Sequence, residues 1–285
     1  MENRCREIER SIIKLFRKEI WRPFVKALNE YEMIREGDQI AVCISGGKDS
    51  MLLAKCMQEI LRHGKMEFGL KFIVMDPGYH PDNRRLIEEN AALMGIPAEI
   101  FETDIFDVVV DAGDSPCYLC ARMRRGSLYA RAKALGCNKI ALGHHFDDVI
   151  ETILMSMLYG AQVNTMMPKL HSTNFAGMEL IRPLYMVKES HILAWKEHNQ
   201  LRFLQCACRF TENIAKEQAM EEAVHSSKRQ EMKELINQFR NISSHIEMNI
   251  FRSVENVNLD TCIGYVKGGE RHHFLDDYDG EGVDD

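Results

Sequence analysis

The chain opens with apolar residues that recur at the spacing of an α-helix. This spacing places them on one face, so the pattern predicts an amphipathic N-terminal helix. The opposite face of the segment is rich in Lys and Arg and is expected to remain exposed. The apolar positions are Ile8, Ile12, Leu15, Phe16, Ile20 and Phe24.

From residue 39 onward, short apolar runs alternate with longer amphipathic segments. The runs predict strands buried on both faces, and the segments between them predict covering helices. This βαβ alternation indicates an α/β domain with a doubly wound parallel sheet, whose ligand is expected at the carboxyl ends of the strands. The predicted strands are 39–44, 71–75, 98–101 and 139–142, and the predicted helices are 51–63, 82–94, 118–135, 147–159, 188–199 and 213–239.

The pattern divides the chain into four segments. Residues 1–36 form an N-terminal helical segment, and residues 37–210 form the sheet domain with a cysteine-bearing turn near its end. Residues 211–273 are predicted as a helical C-terminal extension. Residues 274–285 form an acidic tail that is predicted to be disordered.

Charge and composition narrow the function classes. No apolar run reaches the roughly 18 residues of a membrane helix, and the N-terminus leads into a charged segment, so a cytoplasmic protein without membrane contact is expected. The net charge of −7 argues against nucleic acid at first sight, but the acidic tail carries six of the acids. Basic residues cluster at 4–22 and 121–133, and such local patches decide contact with phosphates. Solvated helix faces are the alternative interpretation of these clusters.

A glycine turn follows the first predicted strand and precedes a helix. Adjacent glycines let backbone N–H groups turn toward an anion, and the helix N-terminus adds positive charge. Lys48 supplies a cation for phosphate oxygens, the Ser45 and Ser50 hydroxyls can donate to them, and Asp49 is placed to hold Mg²⁺. The spacing excludes a Walker A loop, and a plain turn is the alternative interpretation. The segment reads Ser45-Gly46-Gly47-Lys48-Asp49-Ser50.

This sextet resembles the signature of the PP-loop ATP pyrophosphatases, which cleave ATP between its α and β phosphates. The resemblance implies an adenine nucleotide alpha hydrolase-like sheet and the transfer of AMP to a substrate. It implies catalytic roles for Lys48 and Asp49. It also implies that residues 37–210 form the ATP-binding domain.

A second acidic segment follows the strand predicted at 139–142. Because the carboxyl ends of parallel strands meet at one edge of a sheet, its carboxylates are expected beside the glycine turn. Asp147 and Asp148 could bind Mg²⁺ or orient the nucleotide. Helix capping by Asp147, together with a packed histidine pair, is the alternative. The segment reads Gly143-His144-His145-Phe146-Asp147-Asp148, and the resemblance extends ATP binding to Gly143, His144, Asp147 and Asp148.

Two single residues complete the expected nucleotide site. Arg182 precedes Pro183 in a pair that resembles the Arg-Pro motif near the phosphates of the superfamily, which implies a catalytic clamp on developing negative charge. Asp76 follows the second predicted strand and matches the position beside the nucleoside. A turn that starts at Asp76 is the alternative, because Pro77 and Gly78 come next.

Four of the nine cysteines lie in pairs. Cys117 and Cys120 open a predicted helix, and Cys206 and Cys208 lie in a later turn. Without an export signal, cysteines indicate thiols or metal ligands instead of disulfides. The CxxC spacing suits a zinc site, a redox pair or an iron–sulfur cluster, and a zinc site with four thiolates stays an open alternative.

The segment from Cys117 to Gly126, with 140–145, resembles the TtcA-like tRNA 2-thiocytidine synthases. The match spans roughly Tyr31 to Cys208 and includes Tyr159-Gly160 and 167–170. The resemblance implies a [4Fe–4S] cluster held by three cysteines. At the later turn the family has Pro-Cys-x-x-Cys, whereas this chain has one residue fewer between its two cysteines. The identity of the third ligand therefore stays open. The implied ligands are Cys117, Cys120 and either Cys208, which we favour, or Cys206.

The same resemblance implies a reaction and its partners. ATP would adenylate the C2 oxygen of an anticodon-loop cytidine, and sulfur carried by the cluster would replace it. A tRNA and a sulfur donor such as a cysteine desulfurase are the implied partners, and a homodimer stays open. Thiolation of another tRNA base or a small molecule, amine ligation as in tRNA lysidine synthetases, and a zinc-containing RNA-binding module are the alternatives. The residues expected to contact RNA are Arg122, Arg124, Arg125 and Arg131.

Overall fold

A six-stranded sheet forms the centre of the protein in the computed structural model, which describes residues 2–64, 66–106, 116–204, 228–276 and 278. The strands follow the order β3-β2-β1-β4-β6-β5, and all are parallel except β5 at the edge. Strands β2 and β3 lie on one side of β1 and the later strands lie on the other, so the strand order reverses between β1 and β4. An open α/β sheet forms a ligand crevice at such a point. In chain order the strands are β1 (Gln39–Ile44), β2 (Gly69–Asp76), β3 (Ala98–Glu102), β4 (Lys139–Ala141), β5 (Lys169–His171) and β6 (Glu179–Ile181).

Helices cover both faces of this sheet, and further helices precede and follow it. A two-stranded antiparallel hairpin, β7 (Gly264–Lys267) and β8 (Glu270–His273), lies between short 3₁₀ turns at Leu259–Thr261 and Phe274–Asp276. The α-helices are α1 (Glu2–Arg10), α2 (Arg22–Glu30), α3 (Lys48–His63), α4 (Pro81–Leu93), α5 (Pro116–Ala134), α6 (Phe146–Gly160), α7 (Glu189–His198), α8 (Lys228–Ile242) and α9 (Ile246–Ser253).

The strand β1 shows why its sequence is apolar without interruption. Successive side chains of a strand point to opposite faces. Ile40, Val42 and Ile44 belong to the large core that includes residues of α3, α6 and α7, whereas Ala41 and Cys43 belong to a smaller core under α5. Because both faces are covered, no position between Ile40 and Ile44 can be polar without burying an unpaired group.

The predicted α/β fold is confirmed for the five parallel strands. Each of the four predicted strands agrees with an observed strand to within two residues at either end. The strands β5 and β6, the hairpin and α9 were not predicted. With three residues each, β5 and β6 are too short to show a period in the sequence.

The N-terminal segment is helical, as predicted, but contains two π-helical stretches, Ser11–Leu15 and Arg17–Trp21. Its buried residues fall on a four-residue repeat. In an α-helix of 3.6 residues per turn, such a repeat would rotate around the axis by about 40° at each step. The wider π turns reduce that rotation, so the repeat stays on one face. The members of this repeat without any exposed surface are Ile8, Ile12, Ile20 and Phe24.

The terminal helices share the core of the sheet domain. Phe24 of α2, Met232 and Ile236 of α8, and Phe251 of α9 are buried in the same cluster as β1. The four predicted segment boundaries stay predictions, and residues 205–227 and 279–285 lie outside the described residues. Across the described ranges, no helix has both the length and the apolar character needed to cross a membrane.

Candidate active site

The glycine turn after β1 is a tight loop that leads directly into α3. Gly46 has a φ of +83°, and a Cβ there would lie 2.6 Å from Ile87 Cγ1 and 2.9 Å from Leu204 Cδ1. Only glycine suits such a position. Gly47 is the N-cap residue, so the helix begins at Lys48, three residues before the predicted start. The unpaired N–H groups of this first turn form the arrangement with which helix N-termini bind phosphate.

The two serines of the loop bond to each other. Ser45 Oγ donates to Ser50 Oγ over 3.2 Å, and the Ser45 N–H donates to the same oxygen over 3.1 Å. Ser50 Oγ donates in turn to the Gly47 carbonyl over 3.0 Å. These bonds close the loop on itself and hold its shape.

A cavity of about 300 Å³ lies beside this loop, at the carboxyl ends of β1 and β4. Met75, Tyr79, Leu128 and Leu142 give it an apolar wall, which suits the flat face of a base. Of the residues predicted to form the site, those that line it are Ser45, Asp49, Ser50, Gly143, His144, Asp148 and Arg124. Those that do not line it include Gly46, Gly47, Lys48, Asp76, Asp147 and Arg182.

Gly143 brings the loop and the second acidic segment into contact. A Cβ on Gly143 would lie 3.0 Å from the Ser50 nitrogen and 3.1 Å from the Asp49 carbonyl carbon. The backbone after β4 therefore passes so close to the first turn of α3 that a Cβ at this position would require the neighbouring backbone to shift. The two motifs, separate in the sequence, lie at one edge of the sheet.

Asp49, His145 and Asp148 form a charged cluster at the cavity. His145 Nε2 lies 3.8 Å from Asp49 Oδ1, and His145 Nδ1 lies 3.6 Å from Asp148 Oδ2. Burial raises the pKa of Asp49, although His145 and Lys48 oppose it. Burial also disfavours ionised Asp148, but His145, His144 and Arg229 together outweigh it and hold the pKa of Asp148 below its ordinary value.

This cluster has the donors of a divalent-cation site. Asp49 Oδ1 is buried and has no hydrogen-bond partner among the described residues. The charge of Asp148 contributes to the raised pKa of Asp49, so the two carboxylates repel each other. Carboxylate oxygens are ligands that Mg²⁺ prefers. A cation between Asp49 and Asp148 would give Asp49 Oδ1 a partner and would cancel the repulsion between the two carboxylates.

Lys48 is held by two carboxylates. Its Nζ lies 2.9 Å from Glu189 Oε1 and 3.1 Å from Asp49 Oδ2. Burial alone would lower the pKa of Lys48, but the two carboxylates outweigh it and raise that pKa above its ordinary value. The lysine of the loop is therefore charged and held beside the cavity by the first turn of α7.

Asp147 takes a different place from its neighbour in the sequence. It lines a second cavity of about 230 Å³ between α6, α7 and α8. There it accepts a hydrogen bond from the Glu189 N–H over 2.6 Å and pairs with Arg240. Asp147 thus joins three helices, while Asp148 faces the cavity beside the loop.

The side chain of Asp76 closes the turn after β2. It accepts hydrogen bonds from the N–H groups of Gly78 and Tyr79 over 2.9 Å and 2.7 Å. Its other oxygen lies 3.3 Å from Arg84. These contacts agree with the alternative interpretation of the sequence, in which Asp76 starts a turn. They also set the position of Tyr79 in the cavity wall.

Arg182 and His144 are buried groups with unused hydrogen-bonding atoms. Arg182 donates to the Met167 carbonyl, and its Nε has no partner among the described residues. Burial, with the charge of Arg125, lowers the pKa of Arg182 to about 10. Burial lowers the pKa of His144 to about 4, so its imidazole is neutral at neutral pH, and its Nδ1 likewise has no partner.

The cysteines expected at the cluster are only partly described. Cys120 is buried beside Met75 and Phe106, in the small core behind the apolar wall of the cavity. Within the described ranges, no two further metal-binding side chains converge with Cys120. The other expected ligands lie outside these ranges, namely the side chain of Cys117 and residues Cys206 and Cys208.

The arginines of α5 differ in their surroundings. Arg124 lines the cavity and lies over the Phe106 ring, 5.2 Å from its centroid. Arg131 pairs with Glu99 and is therefore already engaged by the protein. The two that are exposed are Arg122 and Arg125.

Comparison with known proteins assigns the family. Residues 15–214 match the PP-loop domain family. The chain is 35% identical to the tRNA-cytidine(32) 2-sulfurtransferase of Syntrophotalea carbinolica over 86% of this chain and 90% of that protein. It is 32% identical to the protein of the same name from Alcanivorax borkumensis over 94% of this chain and 95% of that protein. The chain belongs to this family.

A solved structure supports the fold of this family member. The U34-tRNA thiolase NcsA from Methanococcus maripaludis, solved with its [4Fe-4S] cluster, matches with a TM-score of 0.63. The match covers 82% of this chain and 76% of that chain at 20% identity, so it concerns the fold. The predicted family and the predicted type of sheet are both confirmed.

Three residues of the site were not predicted as site residues. His145 stands inside the second acidic segment, where its position between a strand and a helix was an available signal. Glu189 and Arg240 belong to no motif. They reach Lys48 and Asp147 only because α7 and α8 pack beside α6.

Proposed function

We propose that this chain is an ATP-dependent tRNA sulfurtransferase that converts cytidine 32 of the anticodon loop to 2-thiocytidine. The named relatives supply the base and its position. The observation that carries the proposal is the contact of Gly143 with the first turn of α3. It gathers Asp49, Asp148 and the loop N–H groups around one cavity, as adenylation requires.

Adenylation activates a carbon that is otherwise unreactive toward sulfur. The C2 oxygen of cytidine attacks the α-phosphorus of ATP, a P–O bond forms, and the bond to pyrophosphate breaks. Lys48 and the N–H groups at the start of α3 would stabilise the negative charge on the departing pyrophosphate. Asp49 and Asp148 would hold Mg²⁺, which supplies positive charge to phosphate oxygens when bound. Arg182 is the proposed clamp on the negative charge that develops at the phosphates. Neutral His144 lines the cavity that would hold the base.

Sulfur then replaces the activated oxygen. A nucleophile at the oxidation level of sulfide adds to C2, the C2–O bond breaks, and AMP departs to leave a C2–S double bond. A cysteine desulfurase together with a thiol reductant is the proposed source of sulfur, because the outer sulfur of the desulfurase persulfide must gain two electrons to reach the sulfide level. When bound, a [4Fe–4S] cluster supplies a binding position for sulfide. Its proposed ligands are Cys117, Cys120 and Cys208 or Cys206.

The chemistry of the donor set supports this assignment. Cys120 is buried directly behind the cavity wall at Met75, so a group on it would lie near a base in the cavity. Thiolates are the ligands that such a cluster requires, and zinc is the alternative metal for the same thiolates.

The helix α5 is the proposed contact for the anticodon loop. Exposed Arg122 and Arg125 can reach phosphates, and Arg124 lies in the cavity wall. Arg131 is the least available of the four predicted arginines, because Glu99 engages it. The target base must leave its stack, which costs less in a single-stranded loop than in a duplex.

An anaerobic reaction with defined tRNA tests the proposal. Reconstituted protein, ATP, Mg²⁺ and sulfide are combined with an unmodified tRNA that carries cytidine at position 32. The matched control is the same transcript with uridine there. Mass spectrometry is expected to find 2-thiocytidine and an equimolar amount of AMP with the first transcript only. Amine ligation without thiolation, or the absence of pyrophosphate release, would contradict the proposal.

A further inference from the structure

A row of cations lies on the exposed face of the N-terminal segment. The row has the same four-residue repeat as the buried apolar residues of that segment, but it is two residues out of step. Because two residues are about half a helical turn, the row lies opposite the buried face. We call it the basic stripe, and it consists of Arg10, Lys14, Lys18 and Arg22.

The protein does not neutralise the basic stripe. Among the described residues, no carboxylate lies within ion-pair distance of any of its four members. Of the three acids in residues 4–22, Glu7 pairs with Arg4 at 3.2 Å, and Glu9 pairs with Lys55 and Arg62 at 2.7 Å and 2.8 Å. The third, Glu19, forms no ion pair with a member of the stripe in the described part of the chain. Like charges four residues apart repel and destabilise a helix. The segment therefore keeps a charge arrangement that opposes its own folding and attracts a polyanion.

The N-terminal segment runs antiparallel along α7. Ser11 Oγ accepts hydrogen bonds from Trp195 Nε1 and Asn199 Nδ2, at the end of α7, over 3.2 Å and 3.0 Å. The Glu19 carbonyl bonds to His191 Nδ1, near the start of α7, over 3.1 Å. The stripe consequently runs from the end of α7 toward its start.

The start of α7 is the part that reaches the active site. Glu189 in its first turn binds Lys48 of the phosphate loop. Lys18 and Arg22 therefore lie at the end of the stripe that is nearest the loop, and the stripe leads away from the catalytic edge of the sheet. At the α-helical rise of about 1.5 Å per residue it would extend about 18 Å, and the π turns shorten it somewhat. This length still suffices to meet more than one phosphate of a strand.

We propose that the basic stripe is a docking surface for the phosphodiester backbone of the tRNA, outside the anticodon loop that enters the cavity. The inference rests on the proposed function, since it takes the substrate to be a tRNA. Phosphate contacts position a nucleic acid without reading its sequence, and a base in the cavity leaves the adjoining stem outside. The stripe is positively charged and exposed, and it leads away from the catalytic edge of the sheet. A surface that binds the phosphates of that stem requires these three properties.

Salt-dependent binding with matched variants tests the docking surface. Full-length protein with Lys14→Gln and Lys18→Gln is compared with a control that carries Lys71→Gln and Lys133→Gln. All four lysines are exposed, and the control pair lies toward the amino edge of the sheet, away from the loop. Each phosphate contact contributes about 0.7 to 0.9 to the slope of log affinity against log salt. The test variant is expected to lose about 1.4 to 1.8 of that slope and about tenfold in affinity for a tRNA transcript, and the control neither.

Acetylation of the wild-type protein gives a second measurement that needs no variant. Saturating tRNA is expected to slow acetylation of Lys14 and Lys18 severalfold and to leave Lys71 and Lys133 unchanged. Equal protection of all four lysines would overturn the inference. So would a Lys14 and Lys18 variant that binds with the wild-type slope while the wild type thiolates tRNA, an outcome that leaves the proposed function standing. Binding to anionic phospholipid vesicles that the variant loses, with tRNA binding intact, would assign the stripe to a membrane surface and overturn it as well.

Discussion

Lys48 Nζ lies 2.9 Å from Glu189 Oε1, so a carboxylate from another helix already holds the cation that the phosphate loop offers to a nucleotide. The second oxygen of Glu189 lies 3.8 Å from Lys233 of α8. If Lys48 binds the phosphates of ATP as proposed, the nucleotide must compete with Glu189 for it. When Lys48 moves to phosphate, Lys233 remains to balance the charge of Glu189.

Replacing Glu189 by Gln should make the protein bind ATP more tightly, because Lys48 is then released from its competitor. We expect the Kd for ATP to fall about threefold to tenfold, which corresponds to about 1 kcal/mol, in isothermal titration calorimetry. Glu197→Gln, at an exposed position of the same helix, is the matched control and should leave the Kd unchanged. A higher Kd for Glu189→Gln would instead mean that Glu189 holds Lys48 ready for the nucleotide.

Replacing Gly143 by Ala should disturb the phosphate loop without touching its sequence. The added Cβ would meet the Ser50 nitrogen at 3.0 Å, and this neighbour is backbone that cannot rotate away. We expect ATP affinity to fall about tenfold or more, with a loss of about 1 to 3 kcal/mol in the free energy of unfolding. In Gly160→Ala the Cβ meets open space, so that variant should keep the wild-type ATP affinity and lose no stability. Wild-type affinity in Gly143→Ala would show that the contact does not shape the loop.

Replacing Asp49 or Asp148 by Asn should weaken the dependence of ATP binding on Mg²⁺. Each change removes one of the two carboxylates that face the cavity. Titration of ATP at several Mg²⁺ concentrations is expected to show affinity gains about tenfold smaller than in the wild type. Asp260→Asn removes an exposed carboxylate elsewhere and should keep the full response. An undiminished Mg²⁺ effect in both site variants would place the metal elsewhere.

Replacing Glu151 by Gln should stabilise the fold more at high pH than at low pH. Burial raises the pKa of Glu151 to about 7, although Lys233 and Arg229 oppose it. A carboxyl whose pKa is raised by folding favours the native state below its unfolded pKa, and this advantage is lost as pH rises through the folded pKa. Gln cannot ionise, so its advantage should be absent near about pH 4 and reach up to about 3 kcal/mol at about pH 8.

Chemical denaturation of both proteins across this pH range measures that difference. Glu36→Gln, which alters an exposed glutamate, is the control and should shift the unfolding free energy equally at every pH. A difference between wild type and Glu151→Gln that does not change with pH would contradict the account of Glu151.

Removing single cysteines should identify the ligands of the metal centre. Protein purified without oxygen is expected to bind iron, and Cys117→Ala and Cys120→Ala should lose most of it. Only one of Cys206→Ala and Cys208→Ala should do so, which identifies the third ligand. Cys262→Ala, in the C-terminal part of the chain, is the control and should keep its iron. Full iron in all four site variants would refute the assignment, and zinc in place of iron would support the alternative metal.

Much of the fold could be predicted because it depends on local patterns. The run from Gln39 to Ile44 is apolar since both of its faces are covered, and its strand was predicted residue for residue. The edge strands were missed because Lys169–His171 and Glu179–Ile181 have three residues each and obtain their partners only from the sheet. The π turns were missed for a similar reason, since they depend on packing against α7.

The sequence by itself determined the phosphate loop, the type of sheet and the family of this protein. These follow from short segments whose backbone conformation and chemistry are local, such as the glycine pair before Lys48. Tertiary structure alone decided which of two adjacent aspartates faces the cavity, because successive side chains at a helix start point in different directions. It also decided that Glu189 and Arg240 take part. Charges from distant segments interact only when packing removes them from water and brings them within a few ångströms, and no local pattern encodes that distance.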